Sequence, residues 1–260
     1  MTELEAFAVE LAKIAAEASL PFFRTELAEI NKAGPGAFDP VTEGDRAAER
    51  ALRAAITARY PDHGIIGEEY GEDRPDAETV WILDPIDGTR AFISGLPLWT
   101  TLIGLRQNGV PTIGVVGQPY IGEIFLGGPS GARLITRDGQ ETPIRTRACA
   151  TLEEAVAATT DADIFQGADR EGWERLKSRV RLARYGCDAY AYAMLAAGRI
   201  DVVAESELKV WDWSALMPLV KAAGGQFTGW DGQMPNAADG RVLAVGDVRL
   251  TSPALDRLNG

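Results

Sequence analysis

The stretch "TVWILDPIDGTRAF", residues 79–92, constrains this chain more than any other. Trp81, Ile82 and Leu83 read as a buried strand that delivers Asp84 to its end. Pro85 has no N–H for a sheet ladder and is expected to stop the strand there. Gly88 permits a tight turn, and Thr89 is placed to begin a helix whose free N–H groups suit an anion. Two carboxylates, Asp84 and Asp87, thus sit beside an anion cradle, an arrangement suited to a cation that bridges to a phosphate. A second reading stands beside it: Asp87 caps the helix and Asp84 occupies a surface turn. The D-x-x-D spacing alone does not separate the two.

Two further acidic elements bear on the choice. Glu68 and Glu69 end another apolar strand, "GIIGEE", although a solvated loop also accounts for them. Asp212 opens the apolar helix "WDWSALMPLVKAAGG", where its plain role is to cap or complement the dipole. Pro218 inside that helix removes the bond to the Ser214 carbonyl and should kink the first turns. Two carboxylates about 4 Å apart repel by roughly 4 kcal/mol at an effective dielectric near 20. Convergence of Glu68, Asp84, Asp87 and Asp212 would therefore require bound divalent cations, a device used for phosphoryl transfer to water. Phosphatases that form an aspartyl phosphate use D-x-D-x-T instead. The extra residue here is expected to turn the second carboxylate elsewhere.

Composition narrows the function classes. A formal net charge of −12 argues against binding a nucleic-acid backbone. One histidine, His63, makes a zinc site or a Ser–His triad a poor choice, and leaves oxygen ligands and a hard ion such as Mg²⁺. Cys149 and Cys187 have neither metal nor disulfide-framework spacing, so a reduced cytoplasm and a packing role are expected. No apolar run approaches a membrane span. The N-terminal stretch reads as an amphipathic helix through Leu4, Phe7, Leu11, Ile14, Ala18 and Phe22, not as a secretory signal.

Further along, "NKAGPGAFDP" reads as a mobile loop. A helix is expected over residues 41–60, capped by Thr42 with Asp45 in the capping-box place. Residues 100–128 read as antiparallel sheet with a hairpin turn at Asn108-Gly109, and a further hairpin turns near Asp138-Gly139. Beyond about residue 146, helix and strand alternate. Helices are expected over 169–180 and 187–198, and a last one with Ser252 as N-cap and Pro253 at N1. Two tightly joined domains follow: 1–142, α+β with mostly antiparallel sheet and the main acidic motifs, and 143–260, α/β, contributing Asp212.

"GEE", "WILDPIDGTRAF" and "WDWSALMPLVKAAGG", in this order and at these distances, resemble the inositol monophosphatase superfamily of Mg²⁺-dependent, lithium-sensitive phosphatases. The resemblance spans nearly the whole chain and implies an α/β fold, a layered αβαβα sandwich, in a homodimer acting on a small phosphorylated substrate. It implies two or three Mg²⁺ ions. Glu68, Asp84 and the Ile86 carbonyl would hold the first, and Asp84, Asp87 and Asp212 a second. Thr89 and Asp45 would orient the attacking water, with Glu68 in the same catalytic set. The N–H groups of Gly88 and Thr89 would take phosphate oxygens, and Lys32 or a neighbour in the mobile loop would close over the site.

Within the superfamily, "DPIDGTRAFISGLPLWTTLIGL" and "YGCDAYAYAMLAAGRIDVV" most resemble the histidinol-phosphate phosphatase branch. Gly186, Asp188 and Glu205 would then face the leaving group, and two carboxylates there favour a substrate bearing an ammonium. From spacing alone a helix cap explains Asp188 as well, and Tyr190 and Tyr192 read as packing. The tryptophan before Asp212 is a feature of inositol-type members. Inositol 1-phosphate and a 3′-phosphorylated nucleotide remain alternatives, as does a non-enzymatic, metal-dependent binding protein on this scaffold.

Overall fold

A computed structural model describes residues 1–26, 30–31, 40–236 and 238–260. Lys32 and the rest of the loop expected to close over the site lie outside the described residues. Along the chain run α1 (Glu3–Ser19), β1 (Ile30–Asn31), β2 (Pro40–Val41), α2 (Glu43–Arg59), β3 (Gly64–Gly67), β4 (Gly71–Asp73), β5 (Thr79–Asp87) and α3 (Thr89–Ile93). Then come β6 (Thr100–Gln107), β7 (Val110–Gln118), β8 (Glu123–Gly128), β9 (Gly131–Ile135), β10 (Glu141–Pro143), β11 (Val156–Ala158), α4 (Gly167–Lys177) and β12 (Leu182–Arg184). The chain closes with α5 (Tyr190–Ala196), β13 (Val202–Glu205), α6 (Val210–Trp213), α7 (Leu216–Ala222), β14 (Gln226–Thr228), β15 (Val242–Val245) and α8 (Thr251–Asn259).

An eight-stranded sheet has the order β10-β9-β8-β7-β6-β5-β3-β4, and a five-stranded sheet the order β12-β11-β13-β15-β14. The first is antiparallel except for β3 beside β5. Side-chain alternation along its strands separates two cores. Trp81, Leu83, Ile103, Leu105 and Val115 pack with Phe7 and Leu11 of α1 and Leu52 and Ile56 of α2. Leu102, Val116 and Phe125 point the other way, to Leu195 of α5 and Leu216, Leu219 and Val220 of α7. That helical layer also meets Val203, Phe227 and Ala244 of the second sheet. The far face of the second sheet, with Val202, Ala204 and Leu243, is covered by Trp173 and Leu176 of α4 and Leu258 of α8. The layers are thus α, β, α, β, α, the expected sandwich.

The middle layer reaches the first sheet through a row of glycines. Gly104, Gly114 and Gly127 lie opposite one another in β6, β7 and β8. A Cβ on Gly114 would stand 1.8 Å from the Ala215 carbonyl oxygen, and one on Gly127 2.3 Å from the Leu219 Cα. The backbone just after Asp212 therefore rests directly on the sheet.

Several boundaries differ from the sequence reading. β5 does not stop at Asp84: it bulges between Asp84 and Asp87, which leaves Pro85 outside the ladder and lets pairing resume. The helix expected from Asp212 onward is broken into α6 and α7, because Pro218 offers no N–H to Ser214. α5 begins at Tyr190 and not at Cys187, since Asp188 has φ 43, outside the helical region. α8 begins at Thr251, so Ser252 is not its cap and Pro253 lies inside the first turn, where no N–H is required. Strands β11, β12 and β14 are each three residues long. So short a run carries little periodicity, and the sequence pattern does not mark them. No helix among the described residues is long and apolar enough to cross a membrane.

Candidate metal centre and active site

The bulge in β5 answers the question raised by the D-x-x-D spacing. In a regular strand, residues three apart face opposite ways. Here Asp84 pairs with Leu102 and Asp87 with Thr100, so three steps on β5 match two on β6. Both carboxylates therefore face the middle helical layer. The extra residue is absorbed by the bulge and does not turn Asp87 away, which corrects the sequence expectation. Thr101 Oγ1 fixes the bulge by donating to the Pro85 carbonyl at 2.8 Å. Asp84 is 2 % exposed, and its Oδ1 accepts the Ile86 N–H at 3.1 Å. Asp87 does not cap α3, whose N-cap is Gly88 at φ 78. Its Oδ2 accepts the Ala189 N–H at 2.8 Å and the Thr100 hydroxyl at 3.3 Å. The Ile86 carbonyl accepts the Thr89 hydroxyl at 3.1 Å.

Asp212 arrives from α6. Its Oδ2 accepts the Lys209 N–H at 2.6 Å, so it closes the first turn of its helix as well as facing the other acids. Asp84, Asp87 and Asp212 each offer an oxygen within 4.8 Å of the others, a group that can hold a metal ion. Burial, then Glu68, Asp87 and Asp212, push the Asp84 carboxyl well above the usual range. Burial, then Asp188, do the same to Asp87. Glu68 is close enough to hydrogen-bond Asp84. Sequence reasoning therefore brought together four acids that the fold does bring together.

Helix α2 supports this cluster from the side. Asp45 is 1 % exposed, and its Oδ2 accepts the Thr42 N–H at 2.8 Å and the Thr42 hydroxyl at 2.6 Å. Burial raises it to about 6 against those bonds, with Glu68 adding to the rise. One turn on lies Glu49, which the sequence reading missed. It is fully buried and accepts the Glu69 N–H at 2.8 Å, the Tyr70 N–H at 3.2 Å and Arg53 Nε at 2.8 Å. Glu49 thus clamps the turn that carries Glu68. The signal was present: Asp45 and Glu49 share one helical face with Leu52 and Ile56, and acids on a buried stripe need a reason.

The other side of the cluster is also acidic. A Cβ on Gly88 would lie 3.2 Å from the Asp188 carboxyl group, so Asp188 sits over the turn after Asp87. It caps no helix; α5 has Ala189 at its N-cap position. Burial raises Asp188 to about 6, Arg90 opposes this and Asp161 adds to it. Glu205 is 1 % exposed and accepts Thr159 Oγ1 at 3.0 Å, Thr160 N–H at 2.7 Å and Thr160 Oγ1 at 3.0 Å. Burial raises it to about 8 despite these bonds. Gly186, at φ 73, donates its N–H to the Thr160 carbonyl at 2.8 Å. Asp87, Asp188, Tyr192, Glu205 and Asp212 line one small cavity.

Other residues behave as packing. His63 Nδ1 accepts the Trp81 indole N–H at 3.1 Å while its ring stacks on Tyr60. Tyr190 donates to Glu123 at 2.7 Å. Cys149 is buried, Cys187 is half-buried, and neither forms a disulfide.

The model of the inositol monophosphatase family matches residues 1–258. The chain belongs to the inositol monophosphatase family. Its members are metal-dependent phosphomonoester hydrolases, and this protein is a phosphatase of that kind. It is 37% identical to the bifunctional phosphatase IMPL2, chloroplastic, of Arabidopsis thaliana, over 99% of this chain and 76% of that protein. It is 33% identical to the histidinol-phosphatase of Mycobacterium tuberculosis, over 85% of each. The structure of an inositol monophosphatase from Zymomonas mobilis superposes with a TM-score of 0.86 at 38% identity, covering 98% of this chain and 96% of that one.

Proposed function

We propose that the protein is a Mg²⁺-dependent histidinol-phosphate phosphatase of histidine biosynthesis. The observation that carries the choice of substrate is Asp188 over the Gly88 turn, beside Asp87 and in the same cavity as Glu205. An alcohol bearing an ammonium group complements these acids. A neutral polyol does not.

The donor set fits a hard divalent cation. It consists of carboxylate oxygens and a backbone carbonyl, with no histidine or thiol, and Asp84 and Asp87 are raised by burial first and by neighbouring acids second, both of which a bound cation offsets. Glu68, Asp84 and the Ile86 carbonyl would hold one ion and Asp84, Asp87 and Asp212 a second, with room in the reading for a third. When bound, Mg²⁺ supplies a Lewis acid for the phosphate and lowers the pKa of water. The chain's own residues do the positioning. Asp45, locked by Thr42, and the Thr89 hydroxyl align the attacking water, with Glu68 beside them. The N–H groups of Gly88 and Thr89 receive phosphate oxygens. Gly186 shapes the loop that brings Asp188 to the alcohol half, and Glu205 faces it from the end of β13. A cytoplasmic homodimer belongs to the same reading.

Inositol 1-phosphate is the second reading, supported by Trp211 before Asp212 and by the likeness to the Zymomonas enzyme. Phosphate release from L-histidinol phosphate, inositol 1-phosphate and adenosine 3′,5′-bisphosphate, run in parallel with Mg²⁺, separates them. A strong preference for the first is expected. A preference of the wild-type protein for inositol 1-phosphate over L-histidinol phosphate would overturn the assignment.

A further inference from the structure

Tyr192 lines the cavity it shares with Asp87, Asp188, Glu205 and Asp212. The residue is 2 % exposed, and its ring packs against Phe227 at 5.8 Å in the middle helical layer. Among the described residues its buried hydroxyl has no hydrogen-bond partner. A buried hydroxyl left unpaired is destabilising, and such a group in a native fold calls for an explanation. Phenylalanine would fill the same volume without that penalty.

Other buried polar atoms also lack partners, among them the indole nitrogens of Trp99, Trp173 and Trp213. None of those side chains lines this cavity. Tyr192 differs in sharing its cavity with Asp188 and Glu205, which the proposed function assigns to the substrate, as well as with Asp87 and Asp212 of the acid cluster. Ionised carboxylates only accept hydrogen bonds, whereas a phenol both donates and accepts. Thr160 also lines the cavity, but its hydroxyl is already bonded to Glu205; Tyr192 supplies the hydroxyl left open to a ligand.

We propose that the Tyr192 hydroxyl is a substrate contact that hydrogen-bonds the alcohol half of the phosphomonoester. The ligand class is an amino-alcohol phosphate, whose ammonium donates to the Tyr192 oxygen and to the Asp188 carboxylate. The inference rests on the reading of this cavity as the substrate site. It adds a residue that sets specificity by pairing a hydroxyl otherwise left unmade.

The test is Tyr192→Phe, with thermal melting of the free protein and steady-state kinetics at saturating Mg²⁺ on L-histidinol phosphate and p-nitrophenyl phosphate. The variant should melt at or above the wild-type temperature. Its KM for L-histidinol phosphate should rise about tenfold, the loss of one hydrogen bond. Turnover of p-nitrophenyl phosphate, which carries no ammonium, should fall less. Unchanged kinetics on L-histidinol phosphate would overturn the inference and leave the hydroxyl a buried defect. An equal fall on both substrates with a raised Mg²⁺ requirement would also overturn it, by moving Tyr192 to the metal centre. A wild-type protein that hydrolyses no phosphomonoester at any Mg²⁺ concentration would defeat the reading on which the inference stands.

Discussion

Asp87 accepts the backbone N–H of Ala189 at 2.8 Å, across 102 residues of chain. The same carboxylate belongs to the cluster with Asp84 and Asp212. One side chain therefore ties the acid cluster to the segment that presents Asp188. On the proposed reading, this hydrogen bond between the β5 bulge and the approach to α5 couples the alcohol half of the substrate to the metal centre.

The cluster is unfavourable to the fold when nothing neutralises it. Asp84→Asn keeps the volume of the side chain and an oxygen for the Ile86 N–H, but removes one buried charge. Mg²⁺-dependent turnover should fall by more than about a hundredfold, since the lost carboxylate is shared by both proposed ions. Metal-free protein should nevertheless melt higher than wild type. Near wild-type turnover and Mg²⁺ affinity would contradict the bridging role.

Stability should depend on pH in a way that metal reverses. In the metal-free fold Asp84 and Asp87 are raised by burial and by neighbouring acids, and Asp45 and Asp188 are raised to about 6. Between the ordinary carboxylate range and these values, the folded protein holds more protons than the unfolded chain. Stability is then fully present at low pH and is lost as pH rises through the raised values. Melting curves without metal should show the melting temperature falling from about pH 5 to pH 8. Added Mg²⁺ should raise it most at the alkaline end. A Mg²⁺ stabilisation that does not grow with pH would count against the cluster as its binding site.

Glu49 should act on metal affinity without touching substrate. Its carboxylate holds the Glu69 and Tyr70 N–H groups and pairs with Arg53, so it sets where Glu68 stands. Glu49→Gln should weaken Mg²⁺ binding by roughly ten- to a hundredfold, read by calorimetry. Activity should recover at high Mg²⁺. If the Mg²⁺ dependence is that of wild type, Glu49 is a packing residue and no more.

The glycine row predicts a coupling between sheet packing and Asp212. A methyl on Gly114 must displace the Ala215 backbone, which lies three residues beyond the acid. Gly114→Ala should destabilise the protein by about 2 kcal/mol, as overpacking does. Activity measured well below the melting temperature should also drop, because α6 moves with α7. A stable variant with full activity would show that the row is incidental.

Much of the site was legible before the fold. Glu68, Asp84 and Asp87 follow apolar strand residues and Asp212 opens an apolar helix, and a pattern that spends hydrophobic burial on placing an acid is hard to explain otherwise. The hairpin at Asn108-Gly109 was legible for a local reason: both residues take the positive φ that a tight turn requires. What the sequence hid was register. Whether Pro85 ends a strand or rides a bulge depends on the pairing partner β6, which is distant information. Glu49 was hidden similarly, because its partners are backbone N–H groups with no signature in side-chain pattern. The break between α6 and α7 was half-visible: Pro218 announced a kink, but the glycines beneath it decide where the backbone rests.

The central claim is that Asp84, Asp87 and Asp212 form the metal site of a phosphatase whose substrate lies toward Asp188. The most direct measurement is anomalous diffraction from crystals grown with Mn²⁺ in place of Mg²⁺. The account predicts a peak among the carboxylates of Asp84, Asp87 and Asp212, lost in Asp84→Asn crystals under the same conditions. Mn²⁺ bound elsewhere on the chain, with those three carboxylates unligated in active protein, would contradict it.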